Sequence, residues 1–560
     1  MKILKKEIIF LIFLTVSVFA VYGKSIFFNF VDLDDDILIT SNINYISNIH
    51  NVPKFFITSC YYSDQYLYYR PVLNISFAID AMILRADPKI YHFTNIILFI
   101  LSIYLFYLFL LKLNIDRTIL KFVCLLTAVH PIFASCVVWV PARNDTLLVV
   151  FIMLSFINFI NFLEQNKIRY LFFYSLFFTV ALFTKETALI LLPVYVLFAY
   201  VFNYKITKKS FAANIVIFVP VLFIYFVLRK ISVVNFCILK YLTNCHEYIL
   251  NILNITATYI GKFVIADYIP VMLYNVRADI VTVLINAVVL VFLAVLIFKK
   301  IIDKKIIIFS LTWFIVCLLP TFLQFENVFL PHRFILPSLA IILLVSKFVK
   351  FFVDKYPVSK KYLYVLFFVL FATFSYSSYM QADKYKNSDV FWVNAYVDAP
   401  EYHAACAGLA KIYMKIGQTD KAENLIRKAL NYKFSYRYLI ALADILFMEN
   451  DIDEAEKLYL QVLDNIKGSN EIIYRALSEL YYRKKDFSKA TEYAQKAYDL
   501  LPYNIDYSKN LAKMYEINGE YLKAANLYMG LLEFDKDNGE YKRKINFLHT
   551  KTDNKENINE

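Results

Sequence analysis

Apolar runs and polar breaks alternate along the first two-thirds of the chain, and a helical repeat takes over in the last third. Nearly charge-free stretches close to the roughly 17 to 25 residues a bilayer-crossing helix needs recur at 8–22, 93–111, 146–163, 170–184, 187–202, 211–228, 280–298, 306–323, 334–352 and 362–380. The shorter ones borrow flanking residues to span. A weaker stretch at 117–133 contains Lys121, His130 and Pro131, and the apolar stretch at 248–274 is interrupted by Asn251, Asn254, Lys262 and Asp267. From residue 401 small residues recur in pairs twelve apart: Ala410/Ala422, Ala443/Ala455, Ser478/Ala490 and Ala512/Ala524. The first members lie 33, 35 and 34 residues apart, and an aromatic follows each by three or four (Tyr413, Phe447, Tyr481, Tyr515).

The pattern predicts an all-α protein: a polytopic membrane bundle at 1–382 with about eleven spanning helices, a linker at 383–400, four helix–turn–helix units at 401–549 closed by a polar capping helix, and a disordered tail at 550–560. The first outer loop, 24–91, is too apolar to be disordered, and its amphipathic segments at 55–62 and 71–84 are expected along the membrane surface. A period near 34 with small residues at the helix crossings is that of tetratricopeptide (TPR) repeats, whose stacking forms a superhelix with a concave face that binds peptides or proteins. A rigid spacer is the alternative use of such an arm.

Composition agrees with the membrane reading. The 560 residues are 60% apolar with mean hydropathy +0.53, well above a soluble domain. The net charge of +13 is explained by lysines in cytoplasmic loops, and no nucleic-acid-binding signature accompanies it. The basic start M-K-I-L-K-K-E and the apolar run after it resemble a signal peptide without a cleavage site, so an uncleaved first helix starting in the cytoplasm is expected. If 117–133 crosses and 248–274 does not, twenty Lys and Arg fall in short segments on the inner side and thirteen on longer outer loops, as the positive-inside rule requires. Eleven crossings then put the C-terminus outside, at the cytoplasmic (inner) membrane. The seven cysteines show no metal-ligand spacing; Cys237 and Cys245 share one loop and form a disulfide if it is extracytoplasmic.

The stretch 30–42, F-V-D-L-D-D-D-I-L-I-T-S-N, places carboxylates directly after the first apolar run. A carboxylate held at the mouth of an apolar cavity serves as a general base; the alternative is a solvated acidic loop. In the eleven-crossing topology Asp34, Asp35, Arg70, His92, His130, Arg143, Asp145, Lys185, Glu186, His332 and Arg333 all fall at the outer face, which describes a site more readily than a set of snorkelling helix ends.

Six segments in order, F-V-D-L-D-D-D-I-L-I-T-S-N (30–42), Y-Y-R-P-V-L-N-I-S-F-A-I-D (68–80), Y-H-F-T-N-I-I-L (91–98), H-P-I-F-A-S-C-V-V-W-V-P-A-R-N-D (130–145), L-F-T-K-E-T (182–187) and P-H-R-F-I-L-P-S (331–338), followed by the repeats, resemble the transmembrane and TPR O-mannosyltransferase-like family of the GT-C glycosyltransferases. The resemblance covers nearly the whole chain. It implies inverting transfer of a sugar from a polyprenyl-phosphate-linked donor to a hydroxyl, typically a protein Ser or Thr, at the extracytoplasmic face. It also implies that Asp34 or Asp35 is the base, and that Arg70, His130, Arg143, Asp145, Lys185, Glu186, His332 and Arg333 bind donor phosphate or substrate. Physical chemistry agrees, since a departing lipid phosphate needs cations where its charge develops and the guanidinium fork suits phosphate. Asp32 and Asp36 stand where the family has an amide-type residue and a proline, and Asn144 where Lys is frequent, which leaves open which carboxylate is the base. The sequence contains no dedicated metal cage, although Asp34, Asp35 and Asp36 can hold one divalent cation together with donor phosphates.

Two functions follow. One is a membrane sugar transferase whose TPR arm engages the acceptor or a partner; the other is a non-catalytic, membrane-anchored TPR scaffold.

Overall fold

The computed structural model describes every residue except 1, 63–67, 205–206, 234–244, 323–327, 358, 467–469, 535–536 and 560. Residue 237 of the expected Cys237–Cys245 pair lies outside the described residues. The chain divides into two compact units, Met1–Ala399 and Pro400–Glu560, and among the described residues the regular structure is helical apart from one pair of two-residue strands.

In the first unit the helices are α1 (Lys2–Tyr22), α2 (Ile43–Ile46), α3 (Pro71–Leu84), α4 (Pro88–Leu111), α5 (Arg117–Ala128), α6 (Ala134–Val138), α7 (Arg143–Gln165), α8 (Ile168–Thr184), α9 (Leu192–Val201), α10 (Lys208–Ser232), α11 (Cys245–Val264), α12 (Ile280–Phe298), α13 (Lys304–Phe322), α14 (Ile335–Lys355), α15 (Ser359–Ala382) and α16 (Ser388–Asp398). Eight helices among the described residues are long and apolar enough to cross a membrane, and the pair 117–128 and 131–138, bent by 55°, makes a ninth if it is one span. The expected spans at 170–184 and 187–202 are shorter apolar helices, because the chain leaves the helix at Lys185, whose backbone is extended (φ −157°, ψ 134°). Strand β1 (Leu273–Tyr274) pairs antiparallel with β2 (Val328–Phe329).

The first outer loop packs into a core it shares with Val140 and Leu147. Phe55, Cys60, Leu73, Phe77, Ala78 and Ala81 pack with Leu38, Ile39 and Ile46, so the segments 55–62 and 71–84 turn their apolar residues inward. Ile79, Met82, Ile83 and Leu84 remain exposed. The segment expected as a linker is folded as well: Asn387 caps α16 through Val390 N (2.9 Å), and Phe391, Trp392 and Ala395 are buried. Apolar residues at helical spacing on an eleven-residue stretch suffice to dock it.

The second unit holds α17 (His403–Lys415), α18 (Thr419–Tyr432), α19 (Tyr436–Met448), α20 (Ile452–Asn465), α21 (Glu471–Arg483), α22 (Phe487–Leu500), α23 (Ile505–Ile517), α24 (Tyr521–Phe534) and α25 (Gly539–Asn559). These form four antiparallel pairs and a final helix, which continues through the residues expected as a tail. All eight paired small residues are fully buried, which is what lets the helices of each pair approach closely. Each turn within a pair contains one left-handed residue: Gly417 (φ 76°), Asn450 (φ 69°), Lys485 (φ 63°) and Gly519 (φ 79°). A left-handed residue ends a helix by satisfying its last carbonyls, so the chain reverses once per repeat at the same register.

Candidate functional site

The site is assembled from adjacent residues that local geometry sends apart. Asp34 lies in the turn before a π-helical segment, Asp36–Thr40, and Asp35 is its N-cap. Side chains one position apart on a helical turn diverge by about 100°. Asp35 accordingly goes inward, at 1% exposure, with both carboxylate oxygens lacking a hydrogen bond. Asp34 sits half-buried, faces the Tyr61 hydroxyl and feels the charges of Arg70 and Arg333. Asp36 turns away and accepts hydrogen bonds from the Thr40 and Ser41 hydroxyls (2.6 and 2.9 Å). The three carboxylates therefore do not converge, and the described residues contain no group of three or more His, Cys, Asp or Glu placed to hold a metal ion.

Lys185 and Glu186 obey the same rule. Neighbours on extended backbone point to opposite sides, and here Lys185 Nζ reaches Asp145 Oδ1 (2.6 Å), with Asn144 Oδ1 at 3.4 Å, while Glu186 takes both arms of Arg70 (2.9 and 3.2 Å). Arg70, at the N-cap of α3, also stacks over Tyr68, 4.4 Å from the ring centre. Arg70 and Arg333 act electrostatically on Lys185, and Arg70, Lys185 and Arg333 act on His332. The buried His332 ring meets the Trp139 indole edge-on at 4.9 Å. Trp139 also neighbours Asp35, and its indole N–H makes no well-formed hydrogen bond.

Asp34, Asp35, Arg70, Asp145, Lys185, Glu186, His332 and Arg333 thus form one cluster, drawn from five separate stretches of chain. Burial pushes the Asp34 carboxyl up, against the pull of Tyr61, Arg70 and Arg333. Asp35 is pushed up further, by burial and by the charge of Asp34. Burial resists ionisation of Glu186 as well, but Arg70 outweighs it and holds that carboxyl at about 2. Lys185 is lowered by burial and partly restored by Asp145. Two carboxyls of raised affinity for protons beside cations is an arrangement suited to proton transfer next to an anion.

Two expected members are committed elsewhere. Arg143 is fully buried and pairs with Asp80 (2.6 Å); it also donates to Asn95 Oδ1 (2.6 Å), Tyr91 O (2.9 Å) and Ser76 O (3.2 Å). Its guanidinium joins α3, α4 and α7 rather than facing the cluster. His130 caps the turn after α5: its Nδ1 accepts from Ile132 N (3.3 Å), its Nε2 lies 3.0 Å from the Phe263 carbonyl, and its ring stacks on Phe263. With both nitrogens used, it is a joint between segments. His92, also expected at this face, is buried with neither ring nitrogen hydrogen-bonded and meets Phe28 edge-on.

Sequence reasoning missed Tyr61 and Trp139. Both lie within stretches it singled out, 55–62 as an amphipathic segment and 130–145 as one of the six segments of the resemblance, but neither residue was assigned a role. It missed Asp80 as well, whose place at the end of the 68–80 segment gave no hint that it pairs with Arg143.

Comparison with known proteins places a family match in the second unit. The tetratricopeptide repeat family model matches residues 405–434, the first helix pair. Over 160 residues, 28% of this chain and 33% of the relative, the sequence is 26% identical to a BBSome complex member BBS4 homolog of Drosophila melanogaster. Over 110 residues, 19% of this chain and 64% of the relative, it is 30% identical to an uncharacterized protein ycf37 of Cyanophora paradoxa. The chain thus spans about a third and somewhat under two-thirds of the length of these relatives. Together with the four stacked pairs, they establish an all-helical, TPR-containing protein.

Proposed function

We propose that this chain is a membrane-anchored interaction protein: its first unit sits in a bilayer, and its TPR unit binds a segment of a partner protein. The observation that carries this reading is the four-pair stack with its eight buried small residues, because such superhelices present a continuous partner-binding face. The matches to TPR proteins support it. The lysine bias of alternate loops supports insertion in the cytoplasmic (inner) membrane, with the repeats on the outer side. Photo-crosslinking from α19 and α21 in native membranes tests it. Discrete polypeptides joined to probes on α19 and α21, and absent from probes on the exposed face of α20, are expected; the same pattern from both sets, or no polypeptide joined from α19 and α21, would contradict it.

One observation favours a second, catalytic reading. A fully buried carboxyl without a hydrogen bond, Asp35, stands beside Asp34 and within a cluster containing Arg70, Lys185 and Arg333. Anchoring alone requires no such arrangement, and an uncompensated buried carboxyl is costly. Together with the GT-C resemblance, it supports transfer of a sugar from a polyprenyl-phosphate-linked donor to a hydroxyl of an outer-face protein. In this reading one of the two aspartates takes the proton of the attacking hydroxyl, and Arg333, Lys185 and Arg70 balance the phosphate released. Glycan analysis of exported proteins tests it. Asp35→Asn should remove a sugar-bearing species that wild type produces, at unchanged protein level, and a profile identical in both would end this reading.

A further inference from the structure

The segment between α11 and α12 is tied down at one end by a carboxylate and at the other by a sheet. Asp398, the last residue of α16, accepts from the Tyr268 hydroxyl (2.5 Å) through Oδ1 and from Val271 N (2.6 Å) through Oδ2. Gln381 Nε2 and Lys384 Nζ both donate to Ile269 O (2.6 and 2.9 Å), and the Lys384 ammonium sits 3.6 Å over the Tyr268 ring. Ile269, Val271 and Met272 are buried beneath these bonds. The next residues, Leu273 and Tyr274, form β1 and pair with Phe329 and Val328. Strand β2 runs into Leu330, whose carbonyl accepts from the buried Tyr259 hydroxyl (2.8 Å), and two residues later into His332 and Arg333.

A short sheet of two residues per strand has almost no stability of its own. The position of β2 is therefore shared between α11, through Tyr259, and whatever holds β1; on that side Asp398 uses both oxygens on the strap. We infer that Asp398 is a positioning residue: through the strap 268–274 and the two-stranded sheet it sets the placement of His332 and Arg333 in the polar cluster. Asp398 lies two residues before the second unit begins at Pro400. The consequence for chemistry rests on the transferase reading; the mechanical link does not.

Amide hydrogen exchange on the full chain in lipid nanodiscs tests the link, with alkylation of Cys136 as a second readout, since the Cys136 thiol donates to the His332 carbonyl (3.4 Å). In Asp398→Ala, exchange at 271–274 and at 328–333 should quicken together, by about tenfold or more, and Cys136 should react faster, while α4 and α7 stay as in wild type. Asp398→Asn, which keeps one acceptor oxygen, should restore part of the protection. Tyr268→Phe, which removes one bond and leaves the backbone contact, should give a smaller effect of the same pattern and serves if Asp398→Ala does not insert. Faster exchange confined to 268–272, with 328–333 and Cys136 unchanged in both variants, overturns the inference. A glycan profile indifferent to Asp35→Asn would remove the transferase reading and leave this result standing.

Discussion

Asp35 has a carboxyl at 1% exposure with no hydrogen bond and with Asp34 beside it. Burial and the neighbouring Asp34 charge hold its carboxyl well above the ordinary carboxylate value of 3.8, so the folded chain holds this proton more tightly than the unfolded chain. For an acid raised in this way, no stability is lost below the unfolded pKa, and stability falls as pH rises from about 3.8 through the folded pKa. Asp35→Asn should therefore melt at a higher temperature than wild type at neutral pH, with the difference vanishing near pH 3 to 4. Equal melting at both pH values would show that the carboxyl is solvated. Arg143 is the opposite case, a buried cation with every arm bonded, so Arg143→Leu strands Asp80 and should cost about 3 to 5 kcal/mol in reversible unfolding. Asp80→Asn combined with Arg143→Leu should recover part of that loss. The sequence displayed the residue types of the site and their gathering at one end of the apolar runs. It did not display direction: R-N-D at 143–145 and K-E at 185–186 are adjacent pairs whose members serve different partners, and only backbone geometry separates them.

At the scale of elements, periodicity was legible where it repeated. The spacing of small residues located all four helix pairs, and the same register recurs in the left-handed residues of the turns. Ala443 lies fully buried where α19 meets its neighbours, so Ala443→Leu should overpack that crossing and cost about 1 to 3 kcal/mol. Hydrogen exchange should quicken across α19 and α20 before it does so in α23 and α24, as expected where each repeat leans on its neighbours. Uniform quickening throughout the unit would contradict that neighbour-only dependence. Elements that depend on tertiary docking were less legible. Residues 388–398 read as linker because charged and amide residues flank them, yet Phe391, Trp392 and Ala395 dock the helix. The break at 185–186 was legible, since one apolar run ends at 184 and the next begins at 187, whereas the separate partners of its two residues, Asp145 for Lys185 and Arg70 for Glu186, come from distant sequence.

For the molecule as a whole, the transferase reading and the outer placement proposed for the repeats require the polar cluster and the repeats on one face of a bilayer, and the lysine-rich turn between α12 and α13 on the other. Composition and loop charge suggest this arrangement. Cys60, Cys124, Cys136, Cys317 and Cys406 are buried, so single cysteines placed at exposed Asn48, Glu449 and Lys300, in a chain with Cys237 and Cys245 replaced by Ser, report it with a membrane-impermeant maleimide on sealed, right-side-out vesicles. Positions 48 and 449 should label in sealed vesicles and position 300 only after detergent opens them. Labelling of 48 and 449 under different conditions would contradict the account.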